Sequence, residues 1–352
     1  MRFPALFLLL GVCAGSAASP GGSSHGVILQ YHHVADDTPY ITSIAPERFA
    51  AQVTWLADHH FEIWPLEKLV RTVRQGNPTP DHVAAITFDD AYASIYTRAF
   101  PLLKERGWPF TIFVATKFVN GRPEDYLSWD ELKEMQTAGA TIGNHTYDHR
   151  HLIRRDPGES YDAWHKRVAD DIDKAAREIE AHLGTAPKLF AYPYGEYDAD
   201  VMQIVEEKGY IGFGQESGAF GPGDLFGALP RFPMGGDYSS MDTFPNKVNT
   251  LPLPIHMVFT NPLVGDNLRP SLTLEFTKKD LRLDQLVCYG PGGRTDLTQT
   301  SSTTFVARNK TSIPIGRSRY NCTMPVQGTD RYYWFSQMWI RKEPDGSWYP
   351  EP

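Results

Sequence analysis

The sequence predicts an α/β protein in which a large unit of alternating strands and helices precedes a small all-β unit. Between residues 26 and 214, short apolar runs typical of buried strands alternate with stretches of helical periodicity. After about residue 251 the helical periodicity ends and period-two alternation replaces it. Hydrophobic residues make up 41% of the 352, which is enough for cores of ordinary size.

The first unit contains six apolar runs that predict strands and five periodic stretches that predict helices. The predicted strands occupy residues 27–31, 84–88, 110–114, 140–143, 188–191 and 210–213. One predicted helix begins at Pro46, a second passes through Tyr96 to Leu103, and a third begins at the capping box of Ser128. The last two predicted helices occupy residues 160–183 and 200–208. This succession implies parallel strands with right-handed crossovers, in a barrel or an open sheet, with active sites at the carboxyl ends of the strands.

The second unit, predicted over residues 251–352, contains alternating runs at 271–276, 303–307 and 332–340, separated by Gly-, Pro-, Asn- and Asp-rich turns. This pattern predicts a small antiparallel sandwich. Its two cysteines, Cys288 and Cys322, are expected to form a disulfide in an oxidising compartment; two buried thiols are the alternative.

The first 18 residues have the pattern of an export signal, with Arg2, an apolar stretch over residues 5–12 and small residues before a cleavage site near Ala18. The expected location is therefore periplasmic or secreted, with residues 19–250 as the first mature unit. No later segment is long and apolar enough to span a membrane. The net charge of −8 and the absence of a basic run argue against nucleic acid and favour a neutral or cationic ligand. The oligomeric state stays open.

Two polar motifs follow predicted strands. In the first, Thr87-Phe88-Asp89-Asp90, adjacent carboxylates repel each other unless a cation or a proton separates their roles. In the second, His145 and His149 are four residues apart and can present both imidazoles to one metal. Solvated turn aspartates and surface histidines are the alternatives for each motif alone. Because both motifs follow strands of one predicted sheet, one Asp and two His predict a three-ligand metal site with a second Asp left as a base.

These motifs resemble those of the polysaccharide deacetylases of carbohydrate esterase family 4, the NodB-homology group. The matching segments are Thr87 to Asp90, His145 to His149, and the pair Pro193-Tyr194, in the family's order. The resemblance extends over residues 26 to 250 and implies a distorted (β/α) barrel. Three further segments resemble the poly-β-1,6-N-acetylglucosamine deacetylase branch: residues 31–33, 42–49 and 191–195.

The resemblance implies specific roles for individual residues. Asp90, His145 and His149 would hold one divalent metal, Zn²⁺ in the first place, with Co²⁺ or Ni²⁺ as alternatives. Asp89 would be the general base, and a backbone N–H at Tyr194 would stabilise the oxyanion. The implied substrate is an N-acetylated hexosamine polysaccharide or oligosaccharide.

The sequence departs from the family pattern at Ala91, where a glycine is expected after the aspartates, and at Ala191. The arginine that begins the third family motif is replaced by Ala191, and Arg231 is the candidate to supply that guanidinium from another loop; pairing with a surface carboxylate is the alternative. The family's last motif contributes a histidine as general acid, for which His256 is the candidate. His32 and His33 are rivals, and water could also protonate the leaving amine.

Aromatic residues near predicted strand ends are candidates for binding sugar rings. Tyr192, Tyr194 and Trp129 are the predicted platforms, with burial in the core as the alternative for each. Two other functions remain open: a non-catalytic glycan-binding protein on a decayed barrel, and a xylan or peptidoglycan deacetylase with the same site.

Overall fold

A computed structural model describes residues 23–121 and 124–350 of the chain. The predicted signal segment, residues 1–18, lies outside this described part. Eleven named strands lie in the first part of the chain. They are β1 (Gly26–Tyr31), β2 (His33–Val34), β3 (Ser43–Ile44), β4 (Glu62–Ile63), β5 (Val83–Asp89), β6 (Thr111–Val114), β7 (Thr141–Asn144), β8 (Leu189–Ala191), β9 (Ile211–Phe213), β10 (Ala219–Phe220) and β11 (Phe232–Pro233).

Nine of these strands form one curled sheet in the order β10-β1-β5-β6-β7-β8-β9, with β11 paired to β1 and β4 to β5. Every pairing in it is parallel except that of β1 with β10. One segment links the two ends of the curl, because Leu229 bridges to Phe213 of β9 while Phe232 pairs with Leu29 of β1. The predicted distorted (β/α) barrel is confirmed.

Helices connect successive strands, as the alternation of the sequence predicts. They are α1 (Pro46–Asp58), α2 (Leu66–Arg74), α3 (Phe100–Glu105), α4 (Thr116–Gly121), α5 (Trp129–Thr137), α6 (Tyr161–Leu183), α7 (Ala199–Glu207) and α8 (Phe244–Val248). The predicted capping box forms at the start of α5, where Ser128 and Glu131 exchange hydrogen bonds. Helix α6 ends at Gly184, whose φ of 78° satisfies the left-handed position that favours glycine.

The sheet is buried on both faces, which explains its continuous apolar runs. Along β1, Val27 and Leu29 pack in one core cluster with residues of helices α1, α3 and α5, whereas Ile28 belongs to a second cluster with Phe113 and Phe213. Because side chains alternate along a strand, β1 contributes residues to both core clusters. This packing holds the carboxyl ends of β5, β7 and β8 at one edge.

Residues after 250 form an all-β region of two small sheets. Its strands are β12 (Leu251–Pro252), β13 (Ser271–Glu275), β14 (Val287–Gly290), β15 (Gly293–Arg294), β16 (Asp296–Gln299), β17 (Thr304–Arg308), β18 (Gly316–Pro325) and β19 (Tyr332–Arg341). The sheet orders are β12-β19-β18-β14-β15 and β13-β17-β16. A disulfide joins Cys288 of β14 to Cys322 of β18, which lie directly opposite each other. The division of the chain at residue 250 stays a prediction.

No helix within residues 23–121 and 124–350 combines the length and the apolar character needed to cross a membrane.

Candidate active site

The two adjacent aspartates stand at the carboxyl end of β5, where the chain turns sharply. Asp89 is the last residue of the strand, and Asp90 and Ala91 follow with φ values of 70° and 63°. This left-handed turn sends the two carboxylates in different directions, so that each contacts a separate set of partners. The strain of such positions in residues other than glycine is typical of functional sites.

The second motif brings both histidines to Asp90. Asp90 Oδ1 lies 3.3 Å from His145 Nε2 and 3.1 Å from His149 Nε2. One ligand atom from each of the three residues lies within 4.8 Å of the others. His145 follows β7, which is two strands from β5 in the sheet. The sheet therefore assembles the cluster from two loops that are 55 residues apart along the chain.

The loop that carries the histidines is held by its own hydrogen bonds. Asn144 Oδ1 accepts from the Thr146 N–H at 2.8 Å, and Thr146 Oγ1 accepts from the His149 N–H at 3.0 Å. His145 Nδ1 lies 2.7 Å from the Ala191 carbonyl oxygen, which can only accept. That contact assigns the ring proton to Nδ1 and leaves Nε2 as a lone-pair ligand.

The chemistry of the cluster fits a divalent metal. Asp90 Oδ1 and His145 Nε2 are buried atoms without a hydrogen-bond partner in the described part of the chain. Buried polar atoms of this kind are rare unless an ion or a ligand satisfies them. Burial would raise the pKa of Asp90, but the neighbouring imidazoles hold it well below its usual value, so this carboxylate is ionised. One carboxylate oxygen and two imidazole nitrogens match a catalytic zinc-type site with open positions.

Asp89 is fully buried and is not part of the ligand cluster of Asp90, His145 and His149. Arg231 donates from Nη1 to Asp89 Oδ1 at 2.7 Å and from Nη2 to Oδ2 at 2.8 Å. Gln30 Nε2 also donates to Oδ2, at 2.6 Å. Burial alone would raise the pKa of Asp89, but the Arg231 guanidinium offsets this and the pKa is lowered. The second carboxylate is therefore an ionised acceptor beside the cluster.

Arg231 is itself fixed in a fully buried position. Its Nε donates to the Gly214 carbonyl oxygen at 2.8 Å, and Nη1 reaches Thr87 Oγ1 at 3.2 Å. The alternative that it pairs with a surface carboxylate is therefore wrong. A bidentate guanidinium holds both oxygens of Asp89 in one orientation.

Residues 76–212 match the profile of the polysaccharide deacetylase family. The barrel is a polysaccharide deacetylase domain. Over 200 residues, 55% of this chain and 69% of the relative, the deacetylase is 28% identical to a poly-β-1,6-N-acetyl-D-glucosamine N-deacetylase of Staphylococcus aureus (strain MRSA252). It is also 28% identical over 193 residues, 54% of this chain and 65% of the relative, to the putative polysaccharide deacetylase YxkH of Bacillus subtilis (strain 168).

Solved structures share the fold of the deacetylase. IcaB from Ammonifex degensii superimposes with a TM-score of 0.55 and 26% identity, covering 64% of this chain and 97% of its own. The Streptococcus pyogenes deacetylase PplD, solved with acetate, gives a TM-score of 0.55 at 22% identity, covering 61% of this chain and 94% of its own. Both matches leave more than a third of this chain uncovered.

An open cleft leads from solvent to this candidate metal site. Asp90, His149 and Tyr194 line it, together with His32. His32 Nε2 lies 3.9 Å from Asp89 Oδ2. His33 instead lines a separate crevice and stacks on Tyr92 with ring centroids 3.5 Å apart. Of the two rivals, the structure places only His32 in the cleft.

Tyr194 occupies the position that the sequence predicts, beside the cluster. Its backbone has a φ of 59° within the short turn Pro193–Gly195. Its ring packs edge-on to His149 at 4.6 Å and stacks on His151 at 3.8 Å. His151 in turn lies 2.7 Å from the buried carboxylate of Glu196.

Three predicted site residues belong neither to the lining of the cleft nor to the ligand cluster and the Asp89–Arg231 pair beside it. Tyr192 is completely buried and donates its hydroxyl to the Gly227 carbonyl oxygen at 2.6 Å, so the prediction that it stacks on sugar is wrong. Trp129 stacks on His182 and donates from its ring nitrogen to Asn120, away from the cleft lining. His256 is exposed in the all-β region and does not line the cleft, so its candidacy as general acid is not supported.

The sequence reasoning missed several residues of the deacetylase cleft. Gln30 is the one polar residue in the otherwise apolar strand β1, and this interruption of the apolar run is the only feature of the sequence that indicates a role for it. Four aromatic residues line the cleft from other loops: Tyr92, Phe118, Tyr126 and Tyr238. Arg317 and Arg319 reach it from β18 of the all-β region, and nothing in the local sequence indicates this.

Proposed function

We propose that the chain is a metal-dependent deacetylase that hydrolyses the N-acetyl groups of a hexosamine polysaccharide. One observation carries this proposal: the ligand cluster of Asp90, His145 and His149 lies beside a second aspartate, Asp89, that an arginine keeps ionised. A metal ligand set next to an unligated base matches the needs of amide hydrolysis, which requires an activated water and a proton acceptor.

Asp90, His145 and His149 would hold the metal, Zn²⁺ in the first place. When bound there, a divalent cation supplies Lewis-acid polarisation of the acetamide carbonyl and makes a nearby water more acidic. The surrounding fold leaves His145 in the form that binds a metal. Its proton is on Nδ1, and its Nε2 has no hydrogen-bond partner among the described residues.

Asp89 would accept the proton of the attacking water at a carboxylate oxygen. Arg231 and Gln30 orient that carboxylate, and the lowered pKa keeps it unprotonated at neutral pH. Arg231 thus replaces the guanidinium that the family's third motif normally supplies, whose position here is Ala191.

His32 would donate the proton that the leaving amine needs. It lines the cleft on the side of Asp89, and burial lowers its pKa. A lowered pKa makes a protonated imidazole a stronger acid, so transfer to the amine nitrogen is favoured once the proton is present. The backbone N–H of Tyr194 remains the proposed donor to the oxyanion.

The substrate is proposed from the cleft and from the relatives. The cleft is open to solvent and lined by aromatic rings, which suit the apolar faces of pyranoses. Relatives named poly-β-1,6-N-acetyl-D-glucosamine N-deacetylases support an N-acetylglucosamine polymer. The signal-like first 18 residues support export, so that the enzyme would meet such a polymer in the envelope or outside the cell.

Acetate release from defined oligosaccharides tests the proposal. Purified protein loaded with Zn²⁺ should release acetate from β-1,6-linked N-acetylglucosamine oligomers, and a chelator should abolish the release. Parallel assays on β-1,4-linked oligomers, acetylated xylan and peptidoglycan decide the polymer. Retention on the polysaccharide without acetate release would instead favour a non-catalytic glycan-binding protein.

A further inference from the structure

The all-β region forms one wall of the catalytic cleft. Arg317, Ser318 and Arg319 of β18, with Met338 of β19, line the same cleft as Asp90. These residues lie outside the segment that matches the deacetylase family, residues 76–212. The cleft of this chain therefore has a wall that the family's shared barrel segment does not supply.

Side chains of β18 and β19 hold that wall against two loops at the catalytic edge of the barrel. Arg317 Nη1 donates to the Tyr194 carbonyl oxygen at 3.2 Å, and Arg319 Nη1 donates to the Gln215 carbonyl oxygen at 3.3 Å. Ser336 Oγ donates to the Ser217 carbonyl oxygen at 2.6 Å. Because these loops follow β8 and β9, the wall has a fixed position relative to the ligand cluster.

The two arginines of the wall have different surroundings. Arg317 is 3.4 Å from the buried carboxylate of Glu196 and lies over the ring of Tyr194. Arg319 makes one hydrogen bond within the described residues, to a neutral carbonyl oxygen, and no ion pair there. A guanidinium has five N–H donors, so Arg319 offers unused donors to the cleft.

Glu216 is an acceptor that follows Gln215, the residue whose carbonyl oxygen accepts from Arg319. It lines the cleft and is only 5% exposed, and its Oε1 has no hydrogen-bond partner among the described residues. A polar atom buried without a partner is costly and points to a missing ligand. Burial raises the pKa of Glu216 to about 7, although Arg319 and Arg231 oppose the shift.

A neutral sugar matches this pair better than an ion does. A pyranose hydroxyl both donates and accepts, so it can accept from Arg319 and donate to Glu216. An anionic sugar would meet the Glu216 carboxylate, and a cationic one would meet Arg317 and Arg319. We propose that Arg319 and Glu216 form a subsite that binds hydroxyl groups of a neutral pyranose adjoining the one that loses its acetyl group.

The test compares a long substrate with a short one. This inference rests on the proposed deacetylase function, so the first measurement is wild-type turnover of a β-1,6-linked N-acetylglucosamine pentamer and of a small phenyl acetate ester. The pentamer can occupy the subsite and the ester cannot. For Arg319→Gln, the ratio of kcat/KM on the pentamer to kcat/KM on the ester should fall roughly 10-fold, mainly through KM, because a charge-assisted hydrogen bond is lost.

Glu216→Leu should lower the same ratio in the same direction. Arg294→Gln is the matched control, because Arg294 is exposed on β15 of the same sheet and lies outside the cleft, and its ratio should equal that of wild type. An unchanged ratio in Arg319→Gln would contradict the subsite. This applies whether kcat/KM on the pentamer and on the ester both stay at the wild-type value or both fall by the same factor. If Arg319→Gln lowered kcat/KM only on uronate-containing oligomers, the subsite would bind an anionic sugar, and the proposal of a neutral pyranose would be wrong. Wild-type protein inactive on both substrates would contradict the proposed function itself.

Discussion

The guanidinium of Arg231 donates hydrogen bonds to both carboxylate oxygens of Asp89 across 142 residues of sequence. Both side chains are fully buried, so the pair is shielded from solvent. This arrangement separates the two adjacent aspartates into different roles: Asp89 is paired with an arginine, and Asp90 faces two imidazoles.

Asp89→Asn should lose nearly all turnover and keep its metal. The amide cannot accept the proton of the attacking water, and a general base contributes typically 10²–10⁴-fold to rate. Measuring kcat together with metal content per chain checks both parts. Asp90→Ala is the comparison, because it should lose the metal as well. Asp89→Asn protein as active as wild type would contradict the role of the base.

Arg231→Met should destabilise the fold by about 3–5 kcal/mol, because it leaves the Asp89 carboxylate buried and unpaired. The free energy of unfolding in urea measures this loss. The double variant Asp89→Asn with Arg231→Met should recover part of it, since neither side chain of the pair is then charged. A loss in the single variant below about 1 kcal/mol, as for an exposed ion pair, would show that Asp89 does not depend on Arg231.

His32→Gln should lower kcat roughly 100-fold, the low end of the range for a general acid. His33→Gln should change it only a few-fold, because His33 stacks on Tyr92 and lines a different crevice. Rates on a substrate with a good leaving group, which needs no proton, should be much less affected in the His32 variant. Equal losses in both variants would argue against His32 as the acid.

Glu216 should make the stability of the protein depend on pH. Burial raises its pKa to about 7 from 4.5, so the folded state favours the protonated form. Its contribution is fully present below about pH 4.5 and is lost as the pH rises through about 7, with an upper limit of about 3 kcal/mol. The Tm of Glu216→Gln relative to wild type should therefore rise between pH 5 and pH 8. A constant difference over that range would contradict the shifted pKa.

Much of the site could be predicted because the carboxyl ends of parallel strands meet at one edge. Asp89, Asp90 and His145 each follow a recognisable apolar run, so the fold alone brings them together. The partner of Asp89 was harder to predict, because Arg231 lies in an irregular segment. The only indication was that Ala191 replaces the arginine expected in the family's third motif. The predicted strands and helices hold within a few residues, since their apolar periodicity is strong.

The failures have physical causes that local sequence does not reveal. Tyr192 and Tyr194 are two residues apart in one short turn, yet Tyr192 is buried and Tyr194 lines the cleft, since the left-handed backbone at Tyr194 redirects the chain. The wall from β18 depends on how the all-β region packs against the barrel. That packing is a property of the whole fold rather than of any segment.

Metal binding tests the central claim most directly. Isothermal titration of metal-stripped protein with Zn²⁺ should show one site per chain, and His145→Ala or Asp90→Ala should abolish it while far-UV circular dichroism stays that of wild type. His182→Ala, an exposed histidine outside the cluster, should bind as wild type does. Wild-type protein that binds no divalent ion, or ligand variants that bind it unchanged, would contradict the metal centre on which the proposed chemistry depends.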